Sequence, residues 1–242
     1  MVIRTSTEKH NRKSQEDRLY VQTNGMQVVG AVFDGHGGHE CADKAALAVA
    51  SDAIPTWLDD MPDDEAKENF AVVWRKLSGY CFLEESGSTV TAFYYSKVTK
   101  KAIICWMGDS PAFIFHKKKN SYKREEITLH TTDNKPELQR AIDAGGYHTA
   151  WYKRYIFTDK NFNAGLQPLR GLGDTKFGEI IGREPEVKII DNVYKIIVAT
   201  DGLLIKPEED DSFEDLIKKN TAFWISKYGT VNDNVSIIQV ES

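Results

Sequence analysis

The amino-acid sequence predicts an α+β layered fold, a sandwich of strands covered by helices, and three observations carry that expectation. Short runs rich in β-branched residues occur at residues 26–33, 88–95, 102–107, 112–116, 195–200 and 235–240, each bounded by Gly, Asp, Asn or Pro. Two longer stretches instead show helical periodicity. The order is strand, two helices, several strands, a shorter helix and a closing strand, which is not the regular alternation of a doubly wound parallel sheet.

Taken in order, residues 26–33 read as a strand buried on both faces, because Val28-Val-Gly-Ala-Val-Phe33 has no polar alternation. Residues 41–54, rich in Ala, Lys and Leu, read as an amphipathic helix. Residues 65–83 read as a second, with Phe70, Val73, Trp74, Leu77 and Cys81 three and four apart. Three strands follow at 88–95, 102–107 and 112–116, then one at 195–200, a helix after Ser212 and a last strand at 235–240. The charge runs at 59–68, 117–124 and 208–215 read as solvated loops or helix faces.

Composition narrows the function. The 242 residues are 41% apolar and 28% charged, with no linker-like stretch and no repeat, so a single domain over 1–242 is expected. With 31 Lys and Arg against 36 Asp and Glu, there is no basic surplus to neutralise a phosphate backbone, and nucleic acid is not an expected partner. No apolar run is long enough for a membrane span, and Met1-Val-Ile-Arg-Thr-Ser6 lacks the apolar core of a signal peptide. The expected location is the cytoplasm, or the nucleus. Cys41, Cys81 and Cys105 are too scattered for a disulfide framework and read as reduced core residues.

The informative pattern is where acids meet the ends of apolar runs. Strand 26–33 ends in Asp34-Gly-His-Gly-Gly, strand 102–107 in Gly108-Asp109 and strand 195–200 in Asp201-Gly202, while Asp233-Asn234 precedes the last strand. One such Asp is a turn residue. Several, with Glu16-Asp17, would repel one another on convergence unless a cation compensated them. Oxygen ligands select hard ions, and with no Ca²⁺-loop pattern present a dinuclear Mg²⁺ or Mn²⁺ site is favoured. His36, His39 and Cys41 lack the further ligand pair of a structural zinc site. There is no nucleotide P-loop, G-x-S-x-G elbow or H-E-x-x-H, and Ser110 reads as a turn residue rather than a nucleophile.

Nine motifs in order carry a family resemblance: Asn11-Arg-Lys-Ser-Gln-Glu-Asp17, Val32-Phe-Asp-Gly-His-Gly-Gly38, Ser86-Gly-Ser-Thr89, Gly108-Asp-Ser110, Asp133-Asn-Lys-Pro136, Ala144-Gly-Gly146, Leu169-Arg-Gly-Leu-Gly-Asp174, Ala199-Thr-Asp-Gly202 and Asp233-Asn234. The chain resembles the metal-dependent protein serine/threonine phosphatases of the 2C type from about residue 11 to 240. The resemblance implies a central antiparallel β-sandwich with helices on both outer faces, a four-layer αββα arrangement, and a binuclear Mg²⁺ or Mn²⁺ centre at one edge. It implies that Asp34 bridges the metals, that the Gly35 carbonyl joins one, that Asp201 and Asp233 hold the other, and that Glu16 and Asp17 act directly or through water. Asp133 with Asp201 would hold a weaker third ion. Arg12 would grip the substrate phosphate and His36 would act as general acid, while a hydroxide between the metals attacks phosphorus without a phosphoenzyme. On residue chemistry alone, Arg12 is as readily an ion-pair partner of Glu16, and His36 a turn residue.

Two departures stand out. Pro111 replaces the usual Arg after Gly-Asp-Ser, and Leu169 replaces a usual Ser; neither is an expected ligand. Residues 147–165, with Trp151, Tyr152, Arg154, Tyr155 and Phe157, fall where the family has its variable flap, and these either grip a substrate protein or pack the flap down. The expected activity is phosphoric monoester hydrolysis on phosphoserine and phosphothreonine proteins by a monomer. The alternatives are a catalytically silent binding or regulatory module, or a hydrolase for a small phosphorylated molecule.

Overall fold

The computed structural model describes residues 1–51, 59, 61–117 and 122–242. In chain order the elements are β1 (Val2–Glu8), β2 (Arg18–Thr23), β3 (Gln27–Phe33), β4 (Gly35–His36), α1 (Glu40–Ser51), α2 (Asp63–Tyr80), β5 (Gly87–Ser88), β6 (Val90–Ser96), β7 (Ala102–Met107), β8 (Ala112–Lys117) and β9 (Tyr122–Glu126). There follow α3 (Lys135–Asp143), β10 (Ile156–Phe157), β11 (Gly165–Leu166), β12 (Leu172–Gly173), β13 (Glu186–Ile190), β14 (Val193–Ala199), α4 (Phe213–Tyr228) and β15 (Val235–Glu241). The first expected helix begins at Glu40 rather than Cys41, and residues 52–54 of its expected span lie outside the described residues. So do residue 60 of the first charge run and residues 118–121 of the second.

Two five-stranded antiparallel sheets form the centre, with strand orders β1-β15-β14-β8-β9 and β13-β7-β6-β3-β2. The continuous apolar runs serve two faces at once. Val28 and Val32 of β3 point between the sheets, with Phe93, Ile104 and Trp106, against Ile114, Ile196, Val198 and Ile238. Val29, Ala31 and Phe33, one residue out of phase, lie under α1 and α2 with Trp74, Phe70 and Leu77. On the far side, Phe113, Ile197 and Ile237 lie under Phe213, Leu216 and Trp224 of α4. The expected αββα layering follows from these three apolar strata. The Ser212 side chain caps α4 by accepting from the Asp215 amide, and Gly229 ends it at φ 77°. All three cysteines are buried and free.

A three-stranded sheet, β12-β5-β4, sits at one end of the sandwich. It pairs His36 with Gly87, and Gly87 with Gly173 beside Asp174. A Cβ on Gly87 would lie 2.1 Å from His36 Nε2 and 2.2 Å from Asp174 Oδ2, so only glycine lets these two side chains meet over the strand.

Candidate active site

One edge of the sandwich collects the turns that carry the acids. Antiparallel register sets the end of β3 beside the start of β2, pairing Phe33 with Arg18, and the end of β14 beside the start of β15, pairing Ala199 with Ile237. Asp34, Asp17, Asp201 and Asp233 are thereby brought to one place. Arg12, Asp34, Gly35, His36, Asp109, Asp201 and Asp233 line a single cavity of about 210 Å³, closed on one side by Tyr155 and residues 165–168. Backbone meets backbone closely there: a Cβ on Gly35 would lie 2.5 Å from the Glu16 carbonyl oxygen, and one on Gly202 2.0 Å from the Asn234 carbonyl oxygen.

The remaining expected residues surround this cavity. Asp17 is buried behind it and accepts a 2.8 Å hydrogen bond from the Thr200 hydroxyl. The Glu16 amide donates to Asn234 Oδ1 at 2.8 Å, and the Glu16 carboxylate accepts from Ser14 and Arg12. Asp133 is exposed and lines an adjoining cavity of about 380 Å³ that shares Asp109 and Asp201. Arg12 lies 3.4 Å from Glu16 and 3.6 Å from Asp233, so the ion-pair reading of Arg12 is realised within the candidate site.

The electrostatics are those of under-compensated acids. Burial pushes Asp17 up to about 7, against its hydrogen bonds from Thr200 and Ser236, with the charges of Asp201 and Asp233 adding to the rise. Burial and then Asp201 push Asp109 up to about 7. Asp233 rises to about 6 from the same two causes, restrained by Arg12. Asp34, buried beside Asp201, Asp17 and Asp109, is held well above the carboxylate range. For His36, burial opposes the charged ring, but the 2.8 Å contact of Nε2 with Asp174 Oδ2, with Asp109 and Asp201 beyond, outweighs it and raises the imidazole. Clustered oxygen donors with raised pKa values fit hard divalent cations.

Sequence reasoning counted Asp109 among the strand-end acids without placing it in the ligand set, and gave Asp174 no role. Asp109 obeys the strand-end rule that drew attention to the other acids, and it lines both cavities. Asp174 lies in one of the quoted motifs, yet nothing local shows that it meets His36 across 138 positions. Ser110 is fully buried and hydrogen-bonded to Thr89 Oγ1 at 2.6 Å. In the flap, Tyr147, Tyr152, Phe157 and Phe162 pack on one another, whereas Trp151 stands 91% exposed.

A second charged group lies beyond the Gly108–Asp109 turn. His130, Glu137 and Glu186 offer ligand atoms within 4.8 Å of one another, close enough to share a cation. Their charges are already matched. Arg170 pairs with both carboxylates and Arg140 with Glu137 at 3.1 Å. His130 Nδ1 accepts from the Gly108 amide at 3.1 Å, which places the ring proton on Nε2, facing Glu186 Oε1 at 3.2 Å. The His130 amide also donates to the Gly108 carbonyl at 2.8 Å, so His130 braces the turn that presents Asp109.

The model of a family described as protein phosphatase 2C matches residues 3–224. Among curated proteins, protein phosphatase fem-2 of Caenorhabditis elegans is 28% identical over 227 residues, covering 85% of this chain and 48% of its own length. Protein phosphatase 2C 16 of Arabidopsis thaliana is 25% identical over 233 residues, covering 82% of this chain and 43% of its own length. The chain spans about half the length of these curated relatives. Among solved structures, a serine-threonine phosphatase 2C from Toxoplasma gondii superposes with TM-score 0.77 at 19% identity, over 99% of this chain and 94% of that one. A C. elegans sex determining protein gives 0.68 at 24% identity, over 98% and 64%. These structural likenesses establish the fold.

Proposed function

Because the chain belongs to the protein phosphatase 2C family, we propose that its acidic cleft hydrolyses phosphoserine and phosphothreonine esters of proteins with two divalent cations bound. The observation that carries this reading is the convergence of Asp34, Asp109, Asp201, Asp233, Arg12 and His36 on one cavity, with Asp17 behind it. Asp34, Asp201 and Asp233, with the Gly35 carbonyl, would hold Mg²⁺ or Mn²⁺, while Glu16 and Asp17 act directly or through water and Asp133 serves a weaker third ion. Asp109 joins the set on its position. When bound, the cations neutralise phosphate charge and lower the pKa of a nucleophilic water.

The protein's own groups do the rest. The Arg12 guanidinium exchanges its long contacts with Glu16 and Asp233 for bidentate hydrogen bonds to phosphate oxygens. Although burial opposes it, the carboxylate of Asp174 against Nε2 favours the charged form of the His36 ring. Its Nε2 is committed to Asp174, which leaves Nδ1 to protonate the departing seryl or threonyl oxygen. No helix among the described residues is long and apolar enough to cross a membrane.

The test is hydrolysis of a panel of phosphopeptides and small phosphate esters with Mn²⁺, with Mg²⁺ and with chelator. Phosphopeptide turnover that requires either ion supports the reading. Phosphopeptide binding without turnover in any metal would make the chain a silent binding module, and turnover of small esters alone would make it a small-molecule hydrolase.

A further inference from the structure

The cavity of about 380 Å³ beside the cleft shares Asp109, Gln167 and Asp201 with it. It leads away from the acids between the flap and residues 201–206. Besides the acids, its lining is largely apolar, with Pro111, Phe113, Leu129, Leu203, Leu204 and Ile205. Leu204 is 36% exposed there, three residues from Asp201. Pro111 occupies the position where the resemblance leads one to expect an Arg, so this wall carries no cation. The walls are fixed rather than loose. Asn220 on α4 accepts from the Leu204 amide at 2.9 Å, and the Asn220 and Trp224 side chains both donate to the Gly202 carbonyl. On the flap side the Thr132 hydroxyl donates to the Lys153 carbonyl at 2.7 Å.

Two cations rim the groove and they differ. Lys206 is paired with Glu126 at 2.7 Å. Arg154, exposed on the flap, makes no ion pair among the described residues.

The geometry points to a substrate side-chain subsite: a phosphopeptide whose phosphoresidue sits in the acidic cleft places an apolar side chain, one or two residues away, against Leu204 and Pro111, with Arg154 favouring an acidic over a basic neighbour. This rests on the phosphatase reading of the cleft. Continuity through Asp109 and Asp201 fixes the occupant as the same chain that carries the phosphate. An extended peptide advances roughly 3.3 Å per residue, so one or two residues carry a side chain out of the cleft and into the groove. Burying a leucine side chain on a preformed apolar wall is worth on the order of tenfold in kcat/KM or Kd.

The experiment uses phosphothreonine peptides in which Leu, Ala or Lys occupies each of the two positions on either side of the phosphoresidue. Hydrolysis is followed with Mn²⁺, binding by fluorescence anisotropy, and p-nitrophenyl phosphate is the reference substrate. The expected result is a Leu-over-Ala preference of about tenfold at one position. In Leu204→Ser it should collapse to within about twofold. Arg154→Ala should separately remove discrimination against Lys. Because each preference is a ratio within one enzyme, a general loss of activity cancels. If p-nitrophenyl phosphate and every peptide turn over with Leu and Ala equivalent throughout, the subsite is overturned and the phosphatase reading stands. A Leu preference in binding without turnover of any phosphate ester would uphold the subsite and sink the phosphatase reading. A kcat/KM for free O-phosphothreonine, which has the same leaving group but no neighbouring side chains, as high as for every peptide would overturn the subsite.

Discussion

Asp17→Asn should stabilise the metal-free protein, by an amount that depends on pH in a defined way. Asp17 is 2% exposed and its carboxyl is pushed up to about 7, from 3.8 in a free chain. Between those values the folded chain keeps a proton that the unfolded chain releases, so the Asp17 contribution to stability declines as pH rises from about 4 to 7. The difference is about three pH units, and at 1.36 kcal/mol per unit an ionised Asp17 costs about 4 kcal/mol at pH 8. Asparagine carries no charge and keeps an oxygen to accept the Thr200 hydroxyl, whose own oxygen receives the Ser236 amide at 3.0 Å. For a chain of this length 1 kcal/mol corresponds to about 2–4 °C, so in chelator at pH 8 the variant should melt roughly 10 °C above the parent. At pH 5 the gain should shrink to about 1–2 kcal/mol, and near pH 4 it should be almost gone. Saturating Mn²⁺ should reverse the order, because only the parent has that carboxylate to offer. Scanning calorimetry at the three pH values reads all of this, and a gain that is absent at pH 8 or independent of pH would refute the argument.

Three further outcomes separate roles within the site. Arg12→Ala should raise KM for phosphopeptides about tenfold with a smaller fall in kcat, since phosphate oxygens are present already in the ground state; a pure kcat effect would assign Arg12 to the transition state alone. His36→Ala should cost kcat ~10²–10⁴-fold on a phosphopeptide and far less on p-nitrophenyl phosphate, whose phenolate leaves without help, and Asp174→Asn should show the same asymmetry in milder form; equal losses on both substrates would make His36 a scaffold residue. His130→Asn keeps an acceptor where Nδ1 meets the Gly108 amide, whereas His130→Gln keeps only a donor toward Glu186. The Gln variant should therefore lose about tenfold more kcat and need more Mn²⁺, and indistinguishable variants would reduce His130 to packing.

The strands that were legible in the sequence and those that were not differ in where they sit. The six apolar runs became β3, β6, β7, β8, β14 and β15, which are the interior strands of the two sheets. The four that carried no readable signal, β1, β2, β9 and β13, are the four edges. An interior strand here is covered on both faces and must be apolar throughout, whereas an edge strand such as Val2-Ile-Arg-Thr-Ser-Thr-Glu8 keeps exposed and half-buried positions along its length. The same logic holds at the site. Asp34, Asp109 and Asp201 were visible because each ends a buried run, where a charge is conspicuous. Asp174 and His130 act through partners 138 and 22 positions away, and only register brings them there.

Sequence composition also cannot rank the two acidic groups that the fold assembles, and charge accounting can. Around Gly108 the two carboxylates Glu137 and Glu186 face two guanidiniums, Arg140 and Arg170, and Glu137 is held below its usual range, opposite to what its burial alone would do. Across the turn, Asp17, Asp34, Asp109, Asp201 and Asp233 share Arg12 and a histidine already engaged by Asp174, and four of these five are pushed upward. A cation entering the first group must displace existing ion pairs and strip a proton from His130 Nε2. A cation entering the second relieves repulsion that the fold has already accumulated. Spacing alone would allow metal in either place, and the unbalanced charge is the argument for the cleft as the proposed metal site. The balanced group is then best understood as its support, since it grips through His130 the turn from which Asp109 projects.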